Sequence, residues 1–200
     1  MWDILSIVMY VPVMLTCMAA AGNGLLPVAS NDTLATWNTF MCLYSAGMLY
    51  TWTIGTLTGS PHVVELSVYT YAWTKPVEFV DSMLLICRKS GRPPQFIHVY
   101  HHLLTSIMCA WAVRCVYRPG VVYAVMNMAV HVVMYMYFTI SCYTKVSTTR
   151  RTMVTVMQVA QMIGGFIYSI YVYDPIEPVS AGFVVLYASF VVLFGKLLVC

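Results

Sequence analysis

Seven stretches of predominantly apolar residues run through the chain, separated by short connections. A helix that crosses the hydrocarbon core of a bilayer needs about 20 apolar residues, and each stretch comes close to that length. They cover residues 2–21, 37–57, 65–87, 95–113, 120–138, 153–173 and 182–200. Because unpaired backbone groups are not tolerated in lipid, each stretch is expected to be helical. The sequence predicts an all-α fold, a polytopic membrane bundle of about seven transmembrane helices that forms one integral membrane domain over residues 1–200.

The shortage of charge supports a membrane location. Hydrophobic residues make up 60% of the chain and charged residues 8%, whereas a typical soluble domain carries about 25% charged residues. Ten basic and seven acidic residues are too few to cover a soluble globule of 200 residues. The net charge of +3 is too small to indicate a nucleic-acid partner. The seven cysteines contain no C-x-x-C pair, and we interpret them as small apolar residues.

Basic residues between the stretches predict how the chain is oriented. The connections between stretches three and four and between stretches five and six contain Arg88, Lys89, Arg92, Lys145, Arg150 and Arg151. Cytosolic loops are enriched in Lys and Arg, so both connections are expected to face the cytosol. The connection before the last stretch carries Asp174 and Glu177 without a basic residue, as a lumenal loop would. An odd number of spans then puts the N-terminus in the lumen and the C-terminus in the cytosol, although Arg114 and Arg118 fall on the lumenal side.

Three histidines lie inside the fourth stretch. His98, His101 and His102 occur within the segment I-H-V-Y-H-H-L, and offsets of 3 and 4 place all three on one face of a helix. Ionisable residues at membrane depth are costly and mark functional positions by default. Three on one face are more than packing requires.

The third stretch carries three charged residues at regular spacing. Lys75, Glu78 and Asp81 follow one another at offsets of 3, so the cation and the two carboxylates can be neighbours on one side of a helix. Pro76 is expected to bend this helix and to free a backbone carbonyl. Two interpretations stay open, an ion pair that joins helices and a group that shapes the histidine site.

Two further stretches carry polar residues at helical spacing. Asn127, His131 and Tyr135 follow one another at offsets of 4, which places them on one face. Gln158 and Gln161 lie at an offset of 3 in the next stretch. A lone histidine can be a packing residue, and amide side chains can join helices. Four stretches that each present a polar face favour instead a polar chamber with apolar walls.

The histidines fit two chemistries. Neutral imidazoles at this spacing are good metal ligands, and membrane di-iron enzymes contain H-x-x-H-H. Such enzymes use several histidine boxes, however, and this chain has five histidines in all. The second chemistry is nucleophilic or general acid–base catalysis, in which an imidazole attacks an activated carbonyl. The H-x-x-H-H segment alone does not decide between them.

The order of these groups along the chain resembles the motifs of one enzyme family. Four segments carry the resemblance, Lys75-Pro-Val-Glu78-Phe-Val-Asp81-Ser82, His98-Val-Tyr-His101-His102, Asn127-Met-Ala-Val-His131-Val-Val-Met134-Tyr135-Met-Tyr137 and Thr155-Val-Met-Gln158-Val-Ala-Gln161. They are similar to K-x-x-E-x-x-D-T, H-x-x-H-H, N-x-x-x-H-x-x-M-Y-x-Y-Y and T-x-x-Q-x-x-Q of the fatty-acid elongase (ELO) family. Ser82 stands where threonine is usual, and Phe138 stands where a second tyrosine is common.

The resemblance implies condensation of a long-chain acyl-CoA with malonyl-CoA to 3-oxoacyl-CoA, CO2 and CoA, in a chamber that encloses the acyl chain. His101 is the expected nucleophile, which would take the acyl group as an acyl-imidazole, while His131 and Asn127 would polarise carbonyl groups. The other motif residues would orient or support these groups; they are His98, His102, Lys75, Glu78, Asp81, Tyr135, Gln158 and Gln161. No metal or other cofactor is implied.

The resemblance also implies a location and partners. The anionic CoA groups would approach from the cytosol, where positive charge is supplied by Arg88, Lys89, Lys145, Arg150 and Arg151. The family is found in the endoplasmic reticulum membrane with the reductases and dehydratase of the elongation cycle, and a homodimer is compatible with it. The alternative enzyme is a membrane di-iron fatty-acid desaturase or hydroxylase. A seven-span receptor or small-solute transporter would share the composition but not the ordered motifs.

The orientation can be tested at the sequon Asn31-Asp32-Thr33, which falls in the first, cytosolic loop of the predicted topology. We expect Asn31 to carry no glycan in a eukaryotic membrane, because oligosaccharide transfer occurs in the lumen. The measurement is the gel mobility of the protein before and after endoglycosidase, with Asn31→Gln as the control. A shift that disappears in Asn31→Gln would reverse the topology.

Overall fold

The computed structural model describes residues 29–87 and 96–199, which form seven helices and no β-strand. The helices are α1 Asn31–Leu57, α2 Pro61–Val77, α3 Phe79–Ile86, α4 Phe96–Arg114, α5 Gly120–Tyr143, α6 Thr148–Tyr171 and α7 Pro178–Val199. The all-helical prediction is confirmed for these residues. The first predicted span, residues 2–21, lies outside them, so the count of seven spans stays a prediction.

The third predicted span is two helices rather than one. α2 ends at Val77 and α3 begins at Phe79, with Glu78 between them. Pro76 lies in the last turn of α2 and cannot donate a backbone hydrogen bond. The helix is therefore interrupted two residues after Pro76, next to the predicted bend, and this interruption falls where the charged residues lie.

The helices form a closed ring. α1 packs against α5 and α2, α2 packs against α4, α4 against α7, α7 against α6, and α6 against α5. α3 continues α2 and packs against α4. Each helix of the ring thus has a neighbour on either side, and α2 also contacts α5 across the ring.

Four of these helices are long and apolar enough to cross a membrane, namely α4, α5, α6 and the Pro178–Lys196 part of α7. The chain is thus a multi-pass membrane protein.

α1 is richer in threonine, and the hydroxyls of Thr51, Thr53 and Thr56 donate to backbone carbonyls four residues earlier. Such bonds satisfy the hydroxyl groups within the helix itself. They therefore reduce the free-energy cost of placing threonine side chains next to lipid.

The bundle is apolar on its outside and polar in its interior, which is the reverse of a soluble protein. Large apolar side chains face outward, among them Leu57, Ile167, Val185 and Val192. Lys75, Glu78, Ser82 and Ser106 are at most 1% exposed. An apolar exterior matches lipid, while polar groups are sheltered inside the ring where they can pair with one another.

The end of the ring formed by the start of α5 and α7 is packed by aromatic rings. Tyr123 stacks on Phe183 with ring centroids 4.5 Å apart and on Tyr187 at 5.0 Å. A Cβ on Gly165 of α6 would lie 2.2 Å from the Tyr187 ring. Glycine is therefore required at position 165 for α6 and α7 to pack this closely.

Two helices end in the same turn but with different residues in its left-handed position. After α1, the N–H of Ser60 donates to the carbonyl of Gly55, and Gly59 has φ +63. After α4, the N–H of Tyr117 donates to the carbonyl of Ala112, while Val116 has φ 53. This is a Schellman turn, whose left-handed position is normally glycine. A β-branched residue there is strained.

We expect Val116→Gly to raise the free energy of unfolding by about 0.5–1 kcal/mol. Relief of the left-handed strain is worth about 1–2 kcal/mol, and the greater freedom of glycine in the unfolded chain offsets about 0.5–1 kcal/mol. The measurement is the thermal midpoint of the purified protein in detergent, which should rise by about 1–4 °C.

The control is Gly59→Val, which should lower the midpoint. A Cβ at Gly59 meets nothing within 4 Å, so the change isolates the backbone conformation from packing. An unchanged or lower midpoint for Val116→Gly would show that the turn after α4 stores no strain.

Candidate active site

The centre of the site is the carboxylate of Glu78, which lies at the break between α2 and α3. Its backbone N–H donates to the carbonyl of Thr74, 2.8 Å away. The turn at Pro76 directs the Glu78 side chain into the ring, where the residue is 1% exposed. A charge at this depth is tolerated only with partners.

Three basic side chains surround this carboxylate. Lys75 Nζ lies 2.6 Å from Glu78 Oε1. His131 Nδ1 of α5 is 3.5 Å from the same oxygen, and His102 Nδ1 of α4 is 3.3 Å from Oε2. His102 Nδ1 and Glu78 Oε2 form an ion-pair contact without a hydrogen bond, and neither atom has another hydrogen-bond partner among the described residues. Glu78 thus joins three helices and contacts two of the predicted site histidines, so the two interpretations of this charged group are compatible.

Asn127 is held by two donors from α2. Its Oδ1 accepts from Lys75 Nζ at 2.7 Å and from the Tyr71 hydroxyl at 3.0 Å. Lys75 Nζ also lies 4.4 Å from the centroid of the Tyr71 ring, a cation–π contact. The pairing of Lys75 with both Glu78 and Asn127 explains how a lysine can be buried here.

Asp81 joins α3 to two other helices. One of its oxygens accepts from the Trp37 indole of α1, and the other accepts from the Tyr135 hydroxyl of α5. Asp81 itself lies on α3. The Tyr135 ring packs edge-on against His131 with centroids 5.4 Å apart. Asp81 therefore fixes a tyrosine that contacts a site histidine.

The three histidines of α4 lie together, as their spacing predicts. The rings of His98 and His102 are 4.4 Å apart, and those of His101 and His102 are 5.5 Å apart. The His101 ring contacts Phe190 and Phe194 of α7, with centroids at 4.8 and 5.7 Å. Among the described residues, His98 Nε2, His101 Nδ1 and His102 Nδ1 are buried without a hydrogen-bond partner. Of these, His102 Nδ1 lies 3.3 Å from Glu78 Oε2, which leaves His98 Nε2 and His101 Nδ1 to accept a proton or a ligand group.

A cavity of about 260 Å³ brings the histidines of α4 and α5 together. The predicted site residues that line it are His98, His101, His102, Asn127, His131, Asp81, Tyr135, Gln158 and Gln161. Lys75 and Glu78 do not line it and support it from behind. The remaining walls are mostly apolar, including Leu34, Ile97 and Phe194.

The glutamines of α6 reach the cavity, as predicted. Gln161 is buried, and Gln158 Nε2 lies 3.2 Å from the sulfur of Met134 on α5. Thr155, the first residue of their motif, does not line the cavity, and its hydroxyl donates to the carbonyl of Arg151. Gln158 thus contributes both to the cavity and to the contact between α5 and α6.

The predicted CoA-facing basic residues divide into two groups. Lys145, Arg150 and Arg151 are exposed at the connection between α5 and α6, whereas Arg88 and Lys89 lie outside the described residues. Lys145 and Arg151 line an open depression that shares Phe138, Ser141 and Cys142 with the histidine cavity. Positive charge therefore lies at one mouth of this cavity.

A second cavity, of about 190 Å³, occupies the other end of the ring. Its walls include Tyr71 and Thr105, and the Thr105 hydroxyl donates to the backbone carbonyl of His101. Tyr71 also contacts Asn127 of the first cavity. Tyr71 and Thr105 thus lie in the wall between the two cavities and contact residues of the predicted site.

Four residues at the site were not identified from the sequence, namely Trp37, Tyr71, Phe190 and Phe194. Tyr71 precedes Lys75 by one helical turn, so the offset of 4 could have indicated it. Trp37, Phe190 and Phe194 carry no such signal, because aromatic residues occur on every face of these helices.

Within residues 29–87 and 96–199, no group of three or more His, Cys, Asp or Glu has the arrangement of a metal site.

The energetic role of the buried pair can be tested by removing one charge. We expect Lys75→Met to lower the free energy of unfolding by about 3–5 kcal/mol, because it leaves the Glu78 carboxylate buried without its cation. The double variant Lys75→Met/Glu78→Gln should lose less than Lys75→Met alone. Thermal or denaturant unfolding in detergent measures both.

The control for this pair is Lys145→Met, since Lys145 is exposed and its replacement should change stability by less than about 0.5 kcal/mol. Equal losses for Lys75→Met and Lys145→Met would mean that the buried pair does not stabilise the fold.

Sequence comparison relates the chain to known proteins. The profile of the ELO (GNS1/SUR4) family matches residues 2–199. Fatty acid elongase 2 of Trypanosoma brucei brucei is 35% identical over 149 residues, which cover 66% of this chain and 54% of the relative. Fatty acid elongase 2 of Trypanosoma cruzi is 31% identical over 144 residues, covering 64% and 50%. Fatty acid elongase 1 of Trypanosoma brucei brucei is 30% identical over 143 residues, covering 64% and 46%.

The matched part of this chain spans about half the length of these curated relatives. The family profile nevertheless extends over nearly all of the chain and includes every segment that supplies a side chain to the histidine cavity. The chain belongs to the ELO (GNS1/SUR4) family.

Proposed function

We propose that this chain is a fatty-acid elongase that condenses a long-chain acyl-CoA with malonyl-CoA to 3-oxoacyl-CoA, CO2 and CoA. The observation that carries the proposal is the convergence of His98, His101, His102 and His131 on one cavity with mostly apolar walls. Fatty acid elongases among the relatives support the same reaction.

The first step in this proposal is transfer of the acyl group to His101. An imidazole nitrogen attacks the thioester carbonyl, the carbon–sulfur bond breaks, and the CoA thiolate takes the proton that the imidazole loses. His101 suits this step because Phe190 and Phe194 cover its ring and because its Nδ1 has no partner among the described residues. His98 and His102 would orient it.

The second step is decarboxylation of malonyl-CoA. Loss of CO2 leaves an enolate whose carbon attacks the acyl carbonyl. As the new carbon–carbon bond forms, the bond from that carbonyl to His101 breaks, its electron pair returns to the imidazole nitrogen, and a proton taken up from solution restores the neutral histidine. No base is needed to remove a proton from carbon. Negative charge develops on the thioester oxygen, and donors fixed in advance stabilise such charge. His131 and Asn127 are the groups proposed to supply them.

The two cavities and the charge at the mouth support binding of an acyl-CoA. Apolar walls stabilise an acyl chain by about 0.8 kcal/mol per buried CH₂. Lys145 and Arg151 at the mouth would attract the CoA phosphates, and Arg88, Lys89 and Arg150 would add to this charge. In this arrangement the histidine end faces the cytosol.

The cellular setting is part of the same proposal and rests on the family resemblance and on the distribution of basic residues between the helices. The chain would work in the endoplasmic reticulum membrane with a lumenal N-terminus and a cytosolic C-terminus. Because a 3-oxoacyl-CoA must be reduced and dehydrated before another round, reductases and a dehydratase are the proposed partners. A homodimer is the proposed assembly, with CoA esters as substrates and no cofactor.

The test is incubation of the purified protein with malonyl-CoA and a panel of acyl-CoAs, following CO2 release and the 3-oxoacyl product. We expect His101→Ala to reduce condensation at least 1,000-fold, in the range reported when a catalytic nucleophile is removed. His62→Ala is the control, because His62 is exposed at the start of α2 and should retain full activity.

Peptide mass spectrometry after incubation with acyl-CoA alone should locate the acyl group on His101. Full condensing activity in His101→Ala would remove this residue from the nucleophile role, and an adduct on His131 would reverse the assignment. Bound iron in the active protein would instead favour a desaturase or hydroxylase.

A further inference from the structure

Tyr71 connects α2 to the site without belonging to any of the four motifs. The residue is 8% exposed, and its hydroxyl donates to Asn127 Oδ1 across the ring, 3.0 Å away. Its ring lies beneath Lys75 Nζ at 4.4 Å. One tyrosine therefore contacts both the amide of Asn127 and the cation that binds this amide.

These contacts determine which way the Asn127 amide points. A lysine Nζ donates to an acceptor, so the atom 2.7 Å from it is the amide oxygen and not the amide nitrogen. The Tyr71 hydroxyl lies next to the same atom. With both lone pairs of Oδ1 occupied, the two hydrogens of Nδ2 lie on the opposite side of the amide, and Asn127 lines the histidine cavity.

We propose that Tyr71 is a positioning residue, which together with Lys75 fixes the orientation of Asn127 so that the amide N–H groups donate into the cavity. This inference rests on the proposed condensation, in which Asn127 stabilises a developing oxyanion.

Lys75 alone does not suffice for this purpose. Its Nζ is shared with Glu78 Oε1, which lies closer at 2.6 Å, and its side chain has four rotatable bonds. Tyr71 has two and is enclosed by its surroundings. Its hydroxyl is thus the less mobile of the two donors to Oδ1, and its ring also restricts where Lys75 Nζ can move.

The expected signature is a loss in kcat without a change in KM. A donor to an oxyanion acts where charge develops in the transition state, so its misplacement slows chemistry and leaves substrate binding unchanged. Tyr71→Phe removes only the hydroxyl. We expect kcat for CO2 release to fall about tenfold, the lower end of the loss when an outer hydrogen-bond partner is removed, and KM for both CoA substrates to stay within about twofold.

Tyr100→Phe is the matched control. The Tyr100 hydroxyl of α4 makes one hydrogen bond to Ser189 of α7 at 3.2 Å, and Tyr100 does not line the histidine cavity. Its removal deletes a bond between helices of the same ring and should leave kcat unchanged. A loss of kcat in both variants, in proportion to the loss in thermal midpoint, would assign Tyr71 a structural role only and overturn the proposal.

A double-variant cycle tests whether Tyr71 acts through Asn127. Once Asn127→Ala has removed the amide, Tyr71→Phe should cause no further loss of kcat. Additive losses would show that Tyr71 acts by another route and would overturn the proposal.

A spectroscopic readout separates this inference from the proposed reaction. The chain has four asparagines, so selective ¹⁵N-asparagine labelling gives few side-chain amide signals, and Asn127→Ala identifies the pair from Asn127. Tyr71→Phe should shift or broaden this pair, whereas Tyr100→Phe should not. If the wild-type protein releases no CO2 but the signals respond in this way, the positioning stands and the proposed function fails. Unaffected signals in Tyr71→Phe overturn the positioning whatever the activity.

Discussion

The whole interior depends on one buried carboxylate, that of Glu78. Removing an ion from water costs several kcal/mol even after the protein relaxes around it, and this carboxylate is nearly inaccessible. Lys75 offsets part of that cost at 2.6 Å, and His102 and His131 lie within 3.5 Å. These partners come from α2, α4 and α5, so the same interactions that make the charge tolerable also fix how three helices are arranged.

A second consequence is a separation between groups that line the cavity and groups that hold them. His101, His131 and Asn127 face the cavity, whereas Lys75 and Glu78 lie behind its wall. Asp81 has a similar role on the α1 side, where it accepts from Trp37 and Tyr135. In lipid the bundle cannot rely on water to solvate either layer, so these supporting side chains pair with groups on other helices, as Lys75 does with Asn127 and Asp81 does with Trp37 and Tyr135. This requirement ties the supporting residues to the geometry of the site.

Within the described residues, the sequence predicted the helices, apart from the division of the third stretch into two, and most of the polar face of each helix. Offsets of 3 and 4 identified His98, His101 and His102 as neighbours, and Pro76 marked the break that directs Glu78 inward. Periodicity describes one helix at a time, however, and it does not say which helices face each other across a ring. The contact of His101 with Phe190 and Phe194 joins α4 to α7, and the contact of Trp37 with Asp81 joins α1 to α3. Both contacts form only because the ring of helices closes. They also involve aromatic residues that cannot be told from lipid-facing ones in the sequence.

Closure of the ring would also protect the acyl-imidazole of the proposed reaction. An acyl-imidazole is reactive toward water, so an enzyme that forms one has to keep water from it until the second substrate arrives. The Phe190 and Phe194 rings cover His101 on the α7 side, and tight packing of Tyr187 against Gly165 closes α6 onto α7. In the proposed reaction, polar groups would still be needed next to His101 to stabilise charge in the transition state. The two requirements are exclusion of water and stabilisation of charge. The ring satisfies both, because it is apolar outside and holds a few paired charges behind a mostly apolar cavity wall. These charges act through fixed side chains rather than through solvent.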